Sequence, residues 1–194
     1  MVYISQGNRR MKIPTFSLPA EKTCPSATTL CKKHCYAKKA ERVYPNVLPS
    51  RERNLMDSKK DSFVYKMSDI IKKRTSPYIR IHESGDFYNQ IYLDKWFRIC
   101  RLNPDKMFMV YTQRYDLNFS HKPNNLIVYW TIWPDSKEIP KDGLKAYVVD
   151  DKKLPKYKKQ PKGFKCSKGK GNNITCDKCL YCYKGKGDVI FKLH

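Results

Sequence analysis

Seven of the eight cysteines of this chain fall into two groups, and this grouping constrains the fold more than any other feature of the sequence. The groups are Cys24, Cys31 and Cys35 near the N-terminus, and Cys166, Cys176, Cys179 and Cys182 near the C-terminus. Residues 1–10 carry charge but no apolar stretch, so we find no secretory signal and expect the protein in the reducing cytoplasm. Thiols spaced like ligands in such a compartment usually hold metal.

The first group is compatible with two kinds of metal centre. Three thiolates around a [4Fe-4S] cluster would leave one iron open for a substrate or cofactor. The alternative is a tetrahedral Zn²⁺ site completed by His34, which requires a tight turn because His34 and Cys35 are adjacent.

The second group contains the run Cys176-x2-Cys179-x2-Cys182, which resembles the ligand run of bacterial ferredoxins. Together with Cys166 it would ligate a [4Fe-4S] cluster completely, and Zn²⁺ is again the alternative. Such a closed cluster would be structural or would relay electrons. Cys100 is left over, and its place beside Ile99 in a predicted helix indicates a buried core thiol.

Strands and helices alternate through the first three quarters of the chain. Apolar or alternating segments predict strands over 15–19, 78–82, 107–112, 126–132 and 146–149. Apolar residues at three- and four-residue spacing predict a short helix over 35–42, a long helix over 50–74 with Ser50 as N-cap, and a helix over 89–102 with Ile91, Trp96 and Ile99 inward. This order predicts an α/β fold, either a partial (β/α) barrel or an open, mostly parallel sheet.

The composition changes after residue 150. Residues 151–194 hold thirteen lysines against three aspartates and few aliphatic side chains. We therefore expect an α/β core domain over 1–150 with the first cysteine group, and a lysine- and cysteine-rich metal-binding extension over 151–194 packed on that core. The apolar run 189–191 is expected to dock on the core domain.

The formal net charge of +22 is large enough to attract polyanions. RNA or DNA is therefore a candidate partner, with binding expected mainly on segment 152–170. The alternative is a lysine-rich surface without a specific partner. A membrane partner is not expected, because no apolar run approaches the ~20 residues of a membrane-spanning helix.

Polar residues follow two of the predicted strands at their carboxyl ends, where parallel α/β folds build their sites. His82, Ser84, Gly85 and Asp86 follow the strand over 78–82, and Gln113 and Arg114 follow the strand over 107–112. His82, Asp86 and Arg114 are the catalytic candidates. Alternatively, Asp86 caps the next helix, and Arg80 and His82 make internal polar contacts. Tyr36 is a candidate to cover a cluster or to contact a ligand.

The order of several motifs resembles that of the phage gene-product-88-type proteins, a family of poorly defined function. The matching segments are Cys24-Pro to Cys31, Cys35-Tyr36-Ala37, Ile79-Arg-Ile-His82, Ser84-Gly85-Asp86-Phe87-Tyr88, Tyr-Thr-Gln-Arg at 111–114, the run Cys176 to Cys182, and Phe191 to His194. This resemblance implies a viral protein, located in the host cytoplasm.

The chain also resembles, more distantly, the radical S-adenosylmethionine enzymes. In those enzymes three cysteines follow the first strand of a partial barrel, and a glycine-and-acid turn after the second strand holds the amino group of the cofactor. The resemblance implies an open [4Fe-4S] cluster on Cys24, Cys31 and Cys35. It also implies that Ser84, Gly85 and Asp86 bind the amino group of the cofactor, and that Gln113 and Arg114 bind a carboxylate or ribose. The competing hypothesis is a non-catalytic nucleic-acid-binding protein that is stabilised by zinc or iron–sulfur clusters.

Overall fold

The computed structural model of the chain describes residues 2–150, 152–166 and 174–193. In these residues one open sheet holds seven strands in the order β1-β2-β3-β4-β5-β7-β6, and every pair of neighbouring strands is parallel. The strands are Thr15–Phe16 (β1), Tyr78–Ile81 (β2), Met107–Thr112 (β3), Leu126–Ile132 (β4), Leu144–Val149 (β5), Phe164–Lys165 (β6) and Val189–Lys192 (β7). The predicted α/β fold with an open, mostly parallel sheet is confirmed.

Five of the six α-helices in the described residues lie in the connections between the first three strands, and the sixth lies between β6 and β7. The helices are Thr29–Lys33 (α1), Tyr36–Val43 (α2), Val47–Ser58 (α3), Phe63–Lys72 (α4), Gln90–Arg101 (α5) and Cys176–Cys179 (α6). The first four lie between β1 and β2, and α5 lies between β2 and β3. The connections from β3 to β4 and from β4 to β5 contain no helix. Within the described residues no helix is both long and apolar enough to span a bilayer.

The predicted single helix over 50–74 is wrong, because the chain forms α3 and α4 there with a turn between them. The turn contains Lys59 to Ser62, a run of polar residues that supplies no side chain to the core. Ser58 ends α3, and its hydroxyl donates to the carbonyl oxygen of Leu55 at 2.8 Å, a local bond that competes with helix continuation. Ser50 therefore lies inside α3 and is not an N-cap.

The helices cover one face of the sheet. Ile79 and Ile81 of β2 and Phe108 and Val110 of β3 pack in the same cluster as the buried side chains of α4 and α5. The buried helix residues are Phe63, Val64, Met67, Ile71, Tyr92, Leu93, Trp96, Phe97, Ile99 and Cys100. The buried position of Cys100 is as predicted, whereas Ile91 is 69% exposed and its predicted inward orientation is wrong.

The C-terminal tail covers the opposite face. Tyr129 of β4, Ala146 of β5 and Val189 of β7 form a second buried cluster with Tyr183, and Cys166, Cys176 and Cys182 pack against it. β7 pairs with β5, so the predicted docking of segment 189–191 is confirmed. The tail thus packs on the sheet of the core, while the boundary at residue 150 stays a prediction.

Candidate functional site

A cavity of about 600 Å³ lies at the carboxyl edge of the sheet. Its walls come from the loops after β1 and β2 and from the carboxyl-terminal parts of β3, β4, β5 and β7. Parallel strands end at one edge, so side chains from distant parts of the sequence meet there. The volume is within the range of small-molecule sites. The cavity lies at the edge of the sheet where the sequence analysis expected a site.

All three cysteines of the first group line this cavity. Cys24 belongs to the loop after β1, Cys31 lies in α1, and Cys35 is the N-cap residue of α2. The hydroxyl of Thr28 accepts a hydrogen bond from the backbone N–H of Cys31 at 3.2 Å and so caps α1. The short helix α1 therefore carries Cys31 to the cavity that Cys24 and Cys35 also line.

His82 and Ser84 enter the cavity wall from the loop after β2 with unused polar atoms. His82 Nε2 and the hydroxyl of Tyr92 are 2.9 Å apart, but the buried His82 Nδ1 has no partner. Burial, together with the positive charge of Arg80, lowers the pKa of His82 to about 3, so its imidazole is neutral. The buried hydroxyl of Ser84 also lacks a partner. Two unsatisfied polar groups in one cavity wall are typical of a ligand site.

Gly85 allows the loop after β2 to pack closely on the loop after β1. Its φ is +83°, and an added Cβ would lie 2.6 Å from both the Cβ of Leu18 and the Oγ1 of Thr23. The backbone N–H of Asp86 also donates to the carbonyl oxygen of Thr23, the residue before Cys24. Gly85 therefore acts through backbone conformation and holds the two loops of the site together.

Asp86 connects the loop after β2 to the end of β3. Its carboxylate accepts hydrogen bonds from the Thr112 hydroxyl at 2.6 Å, the Phe87 N–H at 2.7 Å and the Gln113 N–H at 2.9 Å. Burial nevertheless raises the pKa of Asp86 to about 6. The side chain of Asn89 caps α5 by accepting from the N–H of Tyr92 at 2.9 Å, so Asp86 is not the helix cap.

Gln113 reaches the first cysteine group, and Arg114 does not. The Gln113 Nε2 donates to Cys31 Sγ at 3.2 Å, and its Oε1 accepts from the Thr28 N–H at 3.4 Å. Arg114 is absent from the cavity wall, and its guanidinium donates to Asp116 and to the carbonyl oxygen of Phe87. The geometry gives Arg114 a positioning role, while a catalytic role for it stays a prediction.

Tyr36 and His34 complete the side of the cavity formed by α1 and α2. The Tyr36 hydroxyl donates to the carbonyl oxygen of Glu83, which ties α2 to the loop after β2. His34 lines the same cavity, and its buried Nε2 has no partner. Both residues therefore lie at the same cavity as the three cysteines. This position suits the predicted role of Tyr36 in covering a cluster and that of His34 as a further ligand, and both roles stay predictions.

Burial keeps the thiols of Cys24 and Cys31 protonated at neutral pH. It raises the pKa of Cys24 to about 12, with a further rise from the Asp86 charge, and raises the pKa of Cys31 to about 11 against the opposing hydrogen bond from Gln113. Ligation would release these protons. None of the eight cysteines is in a disulfide. No group of three or more His, Cys, Asp or Glu side chains in the described residues is arranged to hold a metal ion, so ligation by both cysteine groups stays a prediction.

The second cysteine group surrounds a separate cavity of about 50 Å³ on the tail-covered face of the sheet. Cys166, Cys176, Cys179 and Cys182 all line it. Tyr111 donates its hydroxyl hydrogen to Cys182 Sγ at 2.9 Å. The described structure thus brings the four residues of the predicted group to one small space.

Sequence reasoning missed several residues of these two walls. Arg80 and Tyr111 line both cavities, and Trp133 lines the large one with a buried Nε1 that has no partner. The alternation of β2 carried a signal, because Arg80 takes the same side as Tyr78 and opposite to Ile79 and Ile81. A charged residue in the middle of a buried strand requires a buried counterpart.

Comparisons with known proteins place the chain among phage proteins. The family model described as Gene product 88 matches residues 3–185. The Gene 88 protein of Mycobacterium phage L5 is 27% identical over an alignment of 194 residues including gaps. This alignment covers 87% of this chain and 81% of the relative. The Gene 88 protein of Mycobacterium phage D29 is 27% identical over 195 residues, with the same coverage. No solved structure matches the chain.

Proposed function

Because the chain belongs to the gene product 88 family, whose name states no reaction, we propose its function from the cavity at the carboxyl edge of the sheet. There, Cys24, Cys31 and Cys35 would hold a [4Fe-4S] cluster with one open position, and S-adenosylmethionine would bind beside it. One observation carries this proposal. The three cysteines, which follow β1, share a cavity of about 600 Å³ with His82, Ser84 and Asp86, which follow β2.

The donor set fits such a cluster. Three thiols that form no disulfide line the cavity, and the Gln113 amide donates to one of the sulfur atoms. Hydrogen bonds to ligating sulfur atoms are one of the levers by which proteins tune iron–sulfur clusters. A bound S-adenosylmethionine would supply radical chemistry when it is cleaved by one-electron reduction at the cluster.

The residues of the loop after β2 suit the amino end of this cofactor. A carboxylate offers about four acceptor positions, and Asp86 uses three of them within the protein. The free position of its carboxylate and the unpartnered hydroxyl of Ser84 can both accept hydrogen bonds from an ammonium group. His82 is neutral and offers its Nδ1 as donor or acceptor according to its tautomer.

The other side of the cavity is mainly apolar and suits a planar or aliphatic group. Trp133, Ala146, Val148 and Phe191 form this wall. Apolar walls exclude water and strengthen the hydrogen bonds that remain. The unpartnered Nε1 of Trp133 adds one directional donor on this side. The two sides together would orient a ligand that has one polar end and one apolar part.

A second candidate function is non-catalytic nucleic-acid binding by a metal-stabilised domain. Arg9, Arg10 and Lys192 are exposed side chains on the wall of the cavity, and the chain carries a net charge of +22. Both functions predict binding of polyanions at low salt. They differ in the first cysteine group, because only the enzyme requires an open iron position there.

Metal analysis separates these proposals. Protein purified without oxygen is assayed for iron, sulfide and zinc, alongside one variant with serine at 24, 31 and 35 and another with serine at 176, 179 and 182. We expect about four irons and four sulfides at each group, so that each variant loses one set. Zinc in place of iron at the first group would contradict the enzyme proposal and favour the second candidate.

A further inference from the structure

The two cysteine groups lie on either side of a shared wall. Arg80, Tyr111, Met11 and Phe191 line both the cavity of about 600 Å³ and the cavity of about 50 Å³. Two of these residues are polar, in a layer that is otherwise apolar. A polar residue retained in such a layer requires a partner, because desolvation without one is costly.

Tyr111 has its partner on the tail side of the wall. Its ring packs edge-on against Phe191 of β7, with centroids 5.2 Å apart, and its hydroxyl donates to Cys182 Sγ at 2.9 Å. Tyr111 is a residue of β3, whose backbone is held by both neighbouring strands. The hydroxyl is thus presented to the sulfur from a rigid element and not from a loop.

Arg80 stacks on the same tyrosine from β2. Its guanidinium carbon lies 4.2 Å from the centroid of the Tyr111 ring, and its Nε donates to the carbonyl oxygen of His82 at 3.0 Å. Among the described residues no carboxylate forms an ion pair with Arg80, and its terminal nitrogens make no hydrogen bond to protein. A half-buried guanidinium that lines two cavities, without a carboxylate partner in the described residues, is suited to pair with another anion.

We propose that Arg80 and Tyr111 are positioning residues of a metal centre formed by Cys166, Cys176, Cys179 and Cys182. Tyr111 hydrogen-bonds to one ligating sulfur, and Arg80 balances the excess negative charge of four thiolates around the metal. The inference rests on the part of the proposed function that assigns metal to the tail. It adds the two residues of the core domain that hold this centre.

This assignment explains why the tail lies on this face of the sheet. A four-thiolate centre is anionic with either Zn²⁺ or a [4Fe-4S] cluster, so it is attracted to Arg80 in the facing layer. Residues that hydrogen-bond to metal ligands, without binding the metal themselves, usually change the metal affinity by about ten- to a hundredfold when they are removed. The pair should therefore affect the retention of the metal more than the stability of the sheet.

The test uses the full-length protein with serine at 24, 31 and 35, so that bound metal belongs to the tail. In this background Tyr111→Phe, Arg80→Gln and Arg80→Lys are compared for metal content and for the rate of metal loss to excess chelator. We expect Tyr111→Phe and Arg80→Gln to lose metal about tenfold faster. Arg80→Lys keeps the positive charge and should restore most of the retention, which a purely structural role for the arginine would not predict.

The outcomes separate this inference from the proposed function. A parent variant that purifies without iron or zinc would overturn both the metal assignment of the tail and the inference. A parent that holds metal, with release rates unchanged in Tyr111→Phe and Arg80→Gln, would overturn the inference alone. If Arg80→Lys released metal as fast as Arg80→Gln while both unfolded at the same denaturant concentration as the parent, the charge-balancing role would be wrong.

Discussion

The two cysteine groups would use the same ligand chemistry in different surroundings. The first has three cysteines at the edge of the sheet, on a cavity of about 600 Å³ with unpartnered polar atoms in its wall. The second has four cysteines on the face of the sheet, around a cavity of about 50 Å³. The comparison shows that the group with fewer cysteines has the larger cavity. A ligand set that is one residue short lies where a further ligand has room to bind.

The two regions also depend on the rest of the chain in different ways. The first group lies in the loop after β1, in α1 and at the start of α2, and contacts of Thr28, Gln113 and Gly85 fix this region. The described part of the tail consists of α6, a turn of 3₁₀-helix over Cys182–Lys184, the edge strand β6 and its neighbour β7. Its polar sequence buries few side chains. We therefore expect loss of metal to release the tail and to leave the first region folded.

The largest effect is expected from Cys176→Ala or Cys179→Ala. Structural metal binding supplies about 10–16 kcal/mol in small zinc-binding peptides, so loss of a ligand should expose the tail. Limited trypsin digestion should then cut first at the exposed Lys178, Lys184 and Lys186, while residues 2–150 resist. Cys24→Ala is the matched control in the first region, and it should leave the tail as resistant as in the parent. Equal resistance of all three variants would show that metal does not stabilise the tail.

A glycine comparison tests the close packing of the first region. Gly85→Ala places a Cβ 2.6 Å from two neighbouring atoms at a φ of +83°, so we expect a loss of about 4 kcal/mol in the free energy of unfolding. Gly185→Ala in the tail also has positive φ, but its nearest atoms are 3.6 Å away, and about 1 kcal/mol is expected. Denaturant unfolding of both variants measures the difference, and equal losses would mean that the two loops of the site are not packed as described.

Asp86 gives the first region a pH dependence. In metal-free protein its pKa is raised from 3.8 to about 6, so the folded state holds a proton that the unfolded chain releases earlier. This contribution to stability is present at about pH 4 and is lost as the pH rises through 6, a change of about 3 kcal/mol.

The variant Asp86→Asn cannot bind this proton, so it does not lose this contribution as the pH rises. Its free energy of unfolding relative to that of the parent should therefore rise by the same amount between about pH 4 and pH 6. Asp116→Asn is the control, because the bond from Arg114 lowers the pKa of this exposed carboxyl and gives a small effect of opposite sign. Parallel stability curves of Asp86→Asn and the parent would contradict the buried state of Asp86.

The smallest effect concerns nucleic acid and the basic tail. The segment predicted to bind it is 152–170, of which residues 167–170 lie outside the described residues. Replacing Lys158, Lys159 and Lys162 by serine should weaken binding to RNA or DNA and reduce the slope of log K against log salt by about 0.7–0.9 for each lost phosphate contact.

The matched control for the tail lysines replaces Lys66, Lys72 and Lys73, which are exposed on or beside α4. It removes the same charge from the other face of the sheet. An equal loss in both triple variants would indicate attraction by net charge alone, without a site on the tail.

The sequence predicted the strand ends around the cavity better than it predicted the contacts between them. The strand ends carrying His82, Asp86 and Gln113 were predictable because local patterns define strands, and parallel strands end at one edge. The spacing of the cysteines was equally local. The donation from Gln113 to Cys31 was not predictable, because it depends on the course of α1 between residues distant in sequence.

The errors have the same origin. Apolar spacing continued from α3 into α4, while the polar turn between them forms because Ser58 bonds locally and contacts the hydroxyl of Tyr88 at 2.9 Å. The roles proposed for Arg80 and Tyr111 depend on the packing of the tail on the sheet. That arrangement joins segments about 70 residues or more apart and leaves no periodic signal in the chain.

The central claim is that the first region holds an open iron position and the tail does not. Its most direct test is the electron paramagnetic resonance spectrum of the reduced, iron-loaded protein with and without S-adenosylmethionine. We use the variant with serine at 176, 179 and 182, so that the signal comes from the first group. The account predicts a changed spectrum, a weaker change in Ser84→Ala, and slow release of 5′-deoxyadenosine. An unchanged spectrum at saturating S-adenosylmethionine would contradict it.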